Sequence, residues 1–314
     1  MDDARSGNLW AITCYFNPVW YRRRLENYRT FRQRLKVPLV TVELSFDKKF
    51  HLGSGDADVL VQVHSPSVLW QKERLLNVAL KSLPNGCDKV AWLDCDILFE
   101  NEDWVERASR ALDEFALVHL FHERNELPMD FRPDTPNWNV SLTSRSLVHK
   151  LALGETTPQE ASLPGGPLKG VTSGLAWASR RDFLEQHGLY DACIIGGGDK
   201  AILSAALGTF DDFARTREMN PRSAEHYREW ANLCFKRVQG RIGHIRGGIF
   251  HLWHGDLHNR RNFETHRRLF AQFDFDPYTD IVLDPNGCWR WNSNKTEMHA
   301  FMKHYFESRK EDGT

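Results

Sequence analysis

No apolar run in the 314 residues approaches the ~18 residues of a membrane span, so no integral membrane segment is expected and any work at a bilayer would be peripheral. Neither sign of charge dominates. Against 41 Lys and Arg stand 42 Asp and Glu, a net charge of −1, so no global field argues for a polyanionic partner. Cysteine is sparse and scattered: Cys14, Cys87, Cys95, Cys193, Cys234 and Cys288 form no C-x-x-C pair, which reads as reduced thiols in a cytoplasmic protein. Met1-Asp2-Asp3-Ala4-Arg5 offers neither a basic nor an apolar leader, so no signal peptide is expected. Internal repeats and low-complexity tracts are also lacking.

What is present is an alternation of strand and helix signals, which predicts an α/β chain built on a single, mostly parallel central sheet flanked by helices. Strands are expected over Leu9–Tyr15, Leu39–Leu44, Val59–Val63, the run ending at Leu93, Ala116–Phe121, Gly174–Ser179 and Ile249–Trp253. Helices are expected over Val19–Leu35, Leu69–Leu83, Trp104–Phe115, Arg181–His187, Lys200–Leu207, Arg261–Phe273 and Lys295–Arg309. The polar, poorly periodic stretch His122–Gly170 reads as a functional loop region. Residues 310–314 read as a frayed tail. The 11 tryptophans and 14 histidines are high counts, and tryptophan stacks on sugars and bases as well as filling cores.

The strongest local signal is Val90-Ala91-Trp92-Leu93, a buried parallel strand by its hydrophobicity, running straight into Asp94-Cys95-Asp96. In open α/β sheets ligands bind beyond the carboxyl ends of the strands. Two like charges one residue apart are made favourable there by a divalent cation holding a phosphate. Two chemistries use such a pair: a metal–diphosphate clamp, or a phosphoaspartate hydrolase with Asp94 as nucleophile. Ile97 and Leu98, following the pair, favour the clamp.

Three further constellations accompany the pair. His251 and His254 follow an apolar strand, and neutral imidazoles can complete an oxygen-rich metal shell; surface histidines are the plainer alternative. Gly196-Gly197-Gly198-Asp199 opens a helix, with Asp199 either a helix cap or a general base for an acceptor hydroxyl. Trp70-Gln71-Lys72-Glu73-Arg74 opens the helix before the acidic strand, where its basic residues could face a diphosphate or simply solvent.

In order and spacing, these blocks resemble the β-1,4-galactosyltransferase group of GT-A fold glycosyltransferases. Leu75-Leu76-Asn77-Val78 is similar to that group's Leu-Leu-Asn-Val helix, Asp94-x-Asp96 to its Asp-x-Asp, and the run from Ser173 to Leu184 with Gly188-Leu189 to the block before its Gly-rich acidic turn. His251 to His254, with Arg260, Phe263 and Arg267 downstream, resembles its Met-x-x-His and basic helix. The resemblance implies one GT-A catalytic domain over 1–309: a nucleotide-sugar half at about 9–121, an acceptor half at about 122–275 and a helical extension at 276–309. It further implies Mn2+ or Mg2+ on Asp94, Asp96, His251 and His254, a donor site of Tyr15, Asn17, Glu43, Trp70, Lys72, Arg74 and Asp94, and Asp199 as the base of an inverting transfer from a UDP-sugar. Gly198 stands where the group has an acceptor-holding Glu, Ile194 and Ile195 stand where it has Trp, and its disulfide and membrane anchor are missing. Donor chemistry therefore carries over, and an N-acetylglucosamine acceptor does not. A saccharide or lipid-linked saccharide at the cytoplasmic face is the expected acceptor, ahead of a modified DNA base met by Arg22-Arg23-Arg24 and Arg260-Arg261. A phosphoaspartate-type phosphatase and a catalytically inactive GT-A binding module are the competing functions.

Overall fold

The computed structural model describes residues 8–135, 138–163, 171–260 and 262–313. The chain opens with β1 (Leu9–Phe16), α1 (Arg22–Arg34), β2 (Leu39–Ser45), β3 (Val59–His64), α2 (Lys72–Leu80) and β4 (Lys89–Leu93). β4 pairs parallel with β1, β1 with β2, and β2 with β3. β2 is buried on both faces. Its apolar face, Val40, Val42 and Leu44, joins the main core, while its polar face is satisfied internally: Thr41 bonds the Tyr28 hydroxyl, and Glu43 accepts from the backbone N–H of His51 and Leu52 and from Gln62.

Beyond β4 the chain leaves this sheet. β5 (Ile97–Phe99), α3 (Trp104–Ala111), β6 (Leu117–His119), β7 (Glu123–Glu126), β8 (Leu142–Ser146), α4 (Leu147–Ala152), α5 (Pro158–Ser162), β9 (Val171–Thr172) and β10 (Ala176–Arg180) follow. β10 returns antiparallel between β4 and β6. The next elements are α6 (Arg181–His187), α7 (Gly198–Leu207), α8 (Phe210–Thr216), α9 (Pro221–Val238), β11 (Ile242–His244) and β12 (Gly248–His251). The resulting seven-stranded sheet runs β11-β6-β10-β4-β1-β2-β3, so the α/β class and the mostly parallel sheet flanked by helices are as expected.

The sheet is not single, however. A second, five-stranded sheet runs β5-β12-β7-β8-β9, and two of its strands, β7 and β8, together with α4 and α5, lie in the stretch expected to be loop. β7 reads Glu-Arg-Asn-Glu and carries no hydrophobic alternation; its pairing with β12 and β8 makes it a strand. The 164–170 part of that stretch and Arg261 lie outside the described residues, as do the side chains of Arg260 and Phe263.

The chain closes with α10 (Leu257–Arg260), α11 (Asn262–Ala271), α12 (Pro277–Asp280), the hairpin β13 (Ile281–Leu283) and β14 (Trp289–Trp291), and α13 (Thr296–Ser308). The segment expected to be a helical extension thus holds a hairpin between its helices α12 and α13. The expected frayed tail is instead tied down. Glu311 is 0% exposed, and Asp312 accepts from the backbone N–H of Arg22 and Arg23 at 3.1 and 2.8 Å. That carboxylate caps α1, which has no acidic residue in its own first turn.

Candidate functional site

The junction between the two sheets forms the site. Asp94, Cys95 and Asp96 lie between β4 in one sheet and β5 in the other, with Asp94 N–H held by the carbonyl of Leu175 at 2.8 Å. β5 aligns Ile97 with His251 of β12, and Leu252 N–H donates to the Asp96 carbonyl at 2.8 Å. This pairing brings the end of β12 beside the acidic pair. Asp96 Oδ2 lies 2.8 Å from His254 Nδ1, and Asp96 Oδ1 lies 3.7 Å from His251 Nε2. Ligand atoms of Asp96, His251 and His254 all fall within 4.8 Å of one another.

These residues fit a divalent cation. Asp96 Oδ1 is buried and has no hydrogen-bond partner among the described residues, an arrangement that normally costs stability. His251 is buried, and its Nδ1 bonds Glu126 Oε2 at 2.7 Å. A carboxylate behind the imidazole is how metal-binding histidines are usually oriented. Burial pushes the Asp96 carboxyl up, but the two imidazoles outweigh this and hold it well below the usual carboxylate range.

Lys72, at the start of α2, links the acidic pair to the glycine-rich turn. Its Nζ lies 2.5 Å from Asp94 Oδ1 and 2.9 Å from Asp199 Oδ2. Burial acts to lower the Lys72 ammonium, but Asp199 and Asp94 hold it well above its ordinary value. Burial raises Asp94 to about 6 against the pull of Lys72, and Asp199 and Asp96 add to the rise. Gly196 and Gly197 adopt φ of 93° and 95°, which only glycine takes at little cost, and so turn the chain into α7. Across the cleft, a Cβ on Gly174 would lie 2.6 Å from Asp199 Oδ2, so glycine there makes room for that carboxylate.

Asp94, Asp96, Lys72, Trp70, Asp199, His251 and His254 therefore line one cleft of about 480 Å³, the size of a small-molecule site. Four residues expected in the donor site do not reach it. Tyr15 is buried against Tyr28 and His51; Asn17 holds the Tyr21 backbone; both Glu43 oxygens are engaged as described above. Arg74 pairs with Asp191 at 2.8 Å.

Residues outside the expected site also line the cleft: Glu73, Arg124, Lys200, Arg217 and Arg309, with Arg24 of the basic segment weighed above for nucleic-acid phosphates. Glu73 abuts Gly198, and burial raises its carboxyl to about 8. Arg309 lies over the Trp70 ring and pairs with Glu311, which also meets Arg24. The arginines lay in ordinary-looking polar stretches, and no sequence signal separated them from solvated residues.

No protein-family model matches the chain, and no curated protein matches it. Among solved structures, it is similar to glucosyl-3-phosphoglycerate synthase from Mycobacterium tuberculosis in complex with Mn2+, UDP and phosphoglyceric acid, at 12% identity over 88% of this chain and 81% of that one, with a TM-score of 0.41. It is similar to S. aureus TarS in complex with UDP-GlcNAc at 12% identity over 96% and 72% of the two chains, with a TM-score of 0.41. A third likeness is to 4-diphosphocytidyl-2C-methyl-D-erythritol synthase from Anaerococcus prevotii, at 10% identity over 77% and 90%, with a TM-score of 0.32.

Proposed function

We propose that the cleft belongs to a metal-dependent GT-A glycosyltransferase that moves a sugar from a UDP-linked donor to an acceptor hydroxyl with inversion. The observation that carries this reading is the convergence of Asp96, His251 and His254 within 4.8 Å in the cleft where Lys72 bridges Asp94 and Asp199. A bound Mn2+ or Mg2+ supplies positive charge for the departing diphosphate. Asp96 and His254 would hold it, with His251, oriented by Glu126, as a further ligand and Asp94 nearby on the ribose side.

The chain's own residues supply the remaining parts. Lys72 is an ammonium flanked by two carboxylates; an incoming diphosphate competes for it and frees Asp199 to accept the acceptor's proton. Trp70 lines the cleft wall with Arg309 over its ring and Phe306 stacked on it, and so holds the Arg309 guanidinium at the cleft. The acceptor we propose is a saccharide or a lipid-linked saccharide; no helix among the described residues is long and apolar enough to cross a membrane.

Two variants test the reading. Asp96→Asn should lose both Mn2+-dependent transfer and the thermal stabilisation conferred by Mn2+ with UDP; full activity of that variant in excess EDTA would overturn the clamp. Asp199→Asn should keep Mn2+–UDP stabilisation while transfer drops on the order of 10²–10⁴-fold, the usual contribution of a general base. Phosphate release without nucleotide, with label incorporated at Asp94, would instead establish the phosphatase.

A further inference from the structure

Among the described residues six Lys and Arg side chains line the cleft, and four have acidic partners: Lys72 with Asp94 and Asp199, Arg24 and Arg309 with Glu311, and Arg124 with Glu126. Arg217 and Lys200 form no ion pair among the described residues. Arg217 follows α8 and lies flat on Phe213, its guanidinium carbon 3.8 Å from the ring centroid. Its Nε is buried and has no hydrogen-bond partner among the described residues. Its Nη2 would lie 2.8 Å from a Cβ on Gly197, two residues before Asp199. Lys200, immediately after Asp199, donates to the carbonyl of Ala161 and has no carboxylate within ion-pair distance.

A cation taken out of water without a counter-charge is unfavourable, and here two share one wall. Burial lowers both, Lys200 to about 8 with Arg217 adding to the effect. The sequence between Leu163 and Val171, Pro-Gly-Gly-Pro-Leu-Lys-Gly, contains no Asp or Glu. The group that would satisfy the pair is an oxyanion, for which a guanidinium fork and an ammonium are well suited.

We propose that Arg217 and Lys200 form an anion subsite flanking Asp199, so that the acceptor is an alcohol carrying a phosphate or carboxylate near its reacting hydroxyl. This rests on the transferase reading of the cleft. It assigns acceptor selection to charge on the α7–α8 wall, where the resemblance offered no residue.

The test is thermal stability of the full chain saturated with Mn2+ and UDP, titrated at constant ionic strength with inorganic phosphate, with glucuronate or with glucose. One of the two anions should raise the melting temperature and glucose should not; which anion acts distinguishes phosphate from carboxylate. Arg217→Gln and, as the milder change, Lys200→Gln should weaken the apparent affinity for that anion on the order of tenfold, the effect of one charge-assisted contact, while Mn2+–UDP stabilisation persists. No response to either anion, or an unaltered response in both variants, overturns the subsite. Failure of Mn2+ and UDP to stabilise the wild type, alongside an Arg217-dependent anion shift, removes the transferase reading and leaves the subsite standing.

Discussion

Replacing Glu311 with glutamine should cost this protein a large share of its stability, although only three residues of the sequence follow it. Glu311 is 0% exposed; Oε1 lies 2.5 Å from Arg309 Nε and 3.3 Å from Arg24 Nη1. Burial pushes its carboxyl up, but Arg24 and Arg309, with His254 further off, outweigh this and bring it from the ordinary 4.5 down to about 2. At about 1.4 kcal/mol per pH unit, that gap corresponds to roughly 3 kcal/mol of folding free energy. Because the folded value lies below the unfolded one, the contribution is fully present above about pH 4.5 and is lost as pH falls through about 2. Removing the charge also leaves two arginines facing each other beside Trp70, and breaking a buried ion pair from one side costs ~3–5 kcal/mol. Urea denaturation at pH 7 of wild type and Glu311→Gln measures the difference. Repeating it down to pH 3 should show the wild type losing its advantage. A Glu311→Gln variant within about 1 kcal/mol of wild type at pH 7 would refute the reasoning, since surface pairs are worth no more than that.

Lys72→Met removes the cation between Asp94 and Asp199; urea unfolding should show a loss of ~3–5 kcal/mol, and a loss below about 1 kcal/mol would mean the two carboxylates do not depend on it. Gly198→Ala places a Cβ 2.1 Å from the Glu73 carboxyl carbon and should cost ~1–3 kcal/mol by overpacking. Glu73→Ala combined with Gly198→Ala should recover most of that cost, whereas additivity within ~0.5 kcal/mol would show that the overlap is not its source.

Legibility in the sequence followed hydrophobic context. Asp94, Asp96, His251 and His254 each end or follow an apolar run, and Asp199 follows a triple glycine, so strand ends and turns marked them. Glu126 was invisible because β7 is polar throughout and is ordered by its neighbours. Glu311 sits in a charge-rich terminus, and its burial depends on Arg24, 287 residues away, a contact that no local pattern encodes. Tyr15, Asn17 and Glu43 rested on resemblance alone, and their polar groups are spent on local packing. α9 was readable in principle. Asn220 caps it, Pro221 takes the first helical position, and Tyr227, Ala231, Cys234 and Val238 form its buried stripe.

Gly198 is where resemblance and structure part most informatively. The resembling group has a glutamate there, holding the acceptor sugar. In this chain the space a side chain would need is filled by the carboxyl of Glu73, reaching across from α2. That carboxyl titrates at about 8 because of burial, so at neutral pH it stands mostly as a neutral acid. Lys72 makes its ion pairs with Asp94 and Asp199, not with Glu73. A glutamate at 198 would meet Glu73 sterically and, if charged, electrostatically. A side chain at 198 is therefore excluded by Glu73 in this chain, and on the proposed transferase reading the acceptor would be met by other groups of the cleft. On the wall beyond Asp199 the cations without an ion pair among the described residues are Arg217 and Lys200, so the departure at this glycine accords with the anion subsite proposed above.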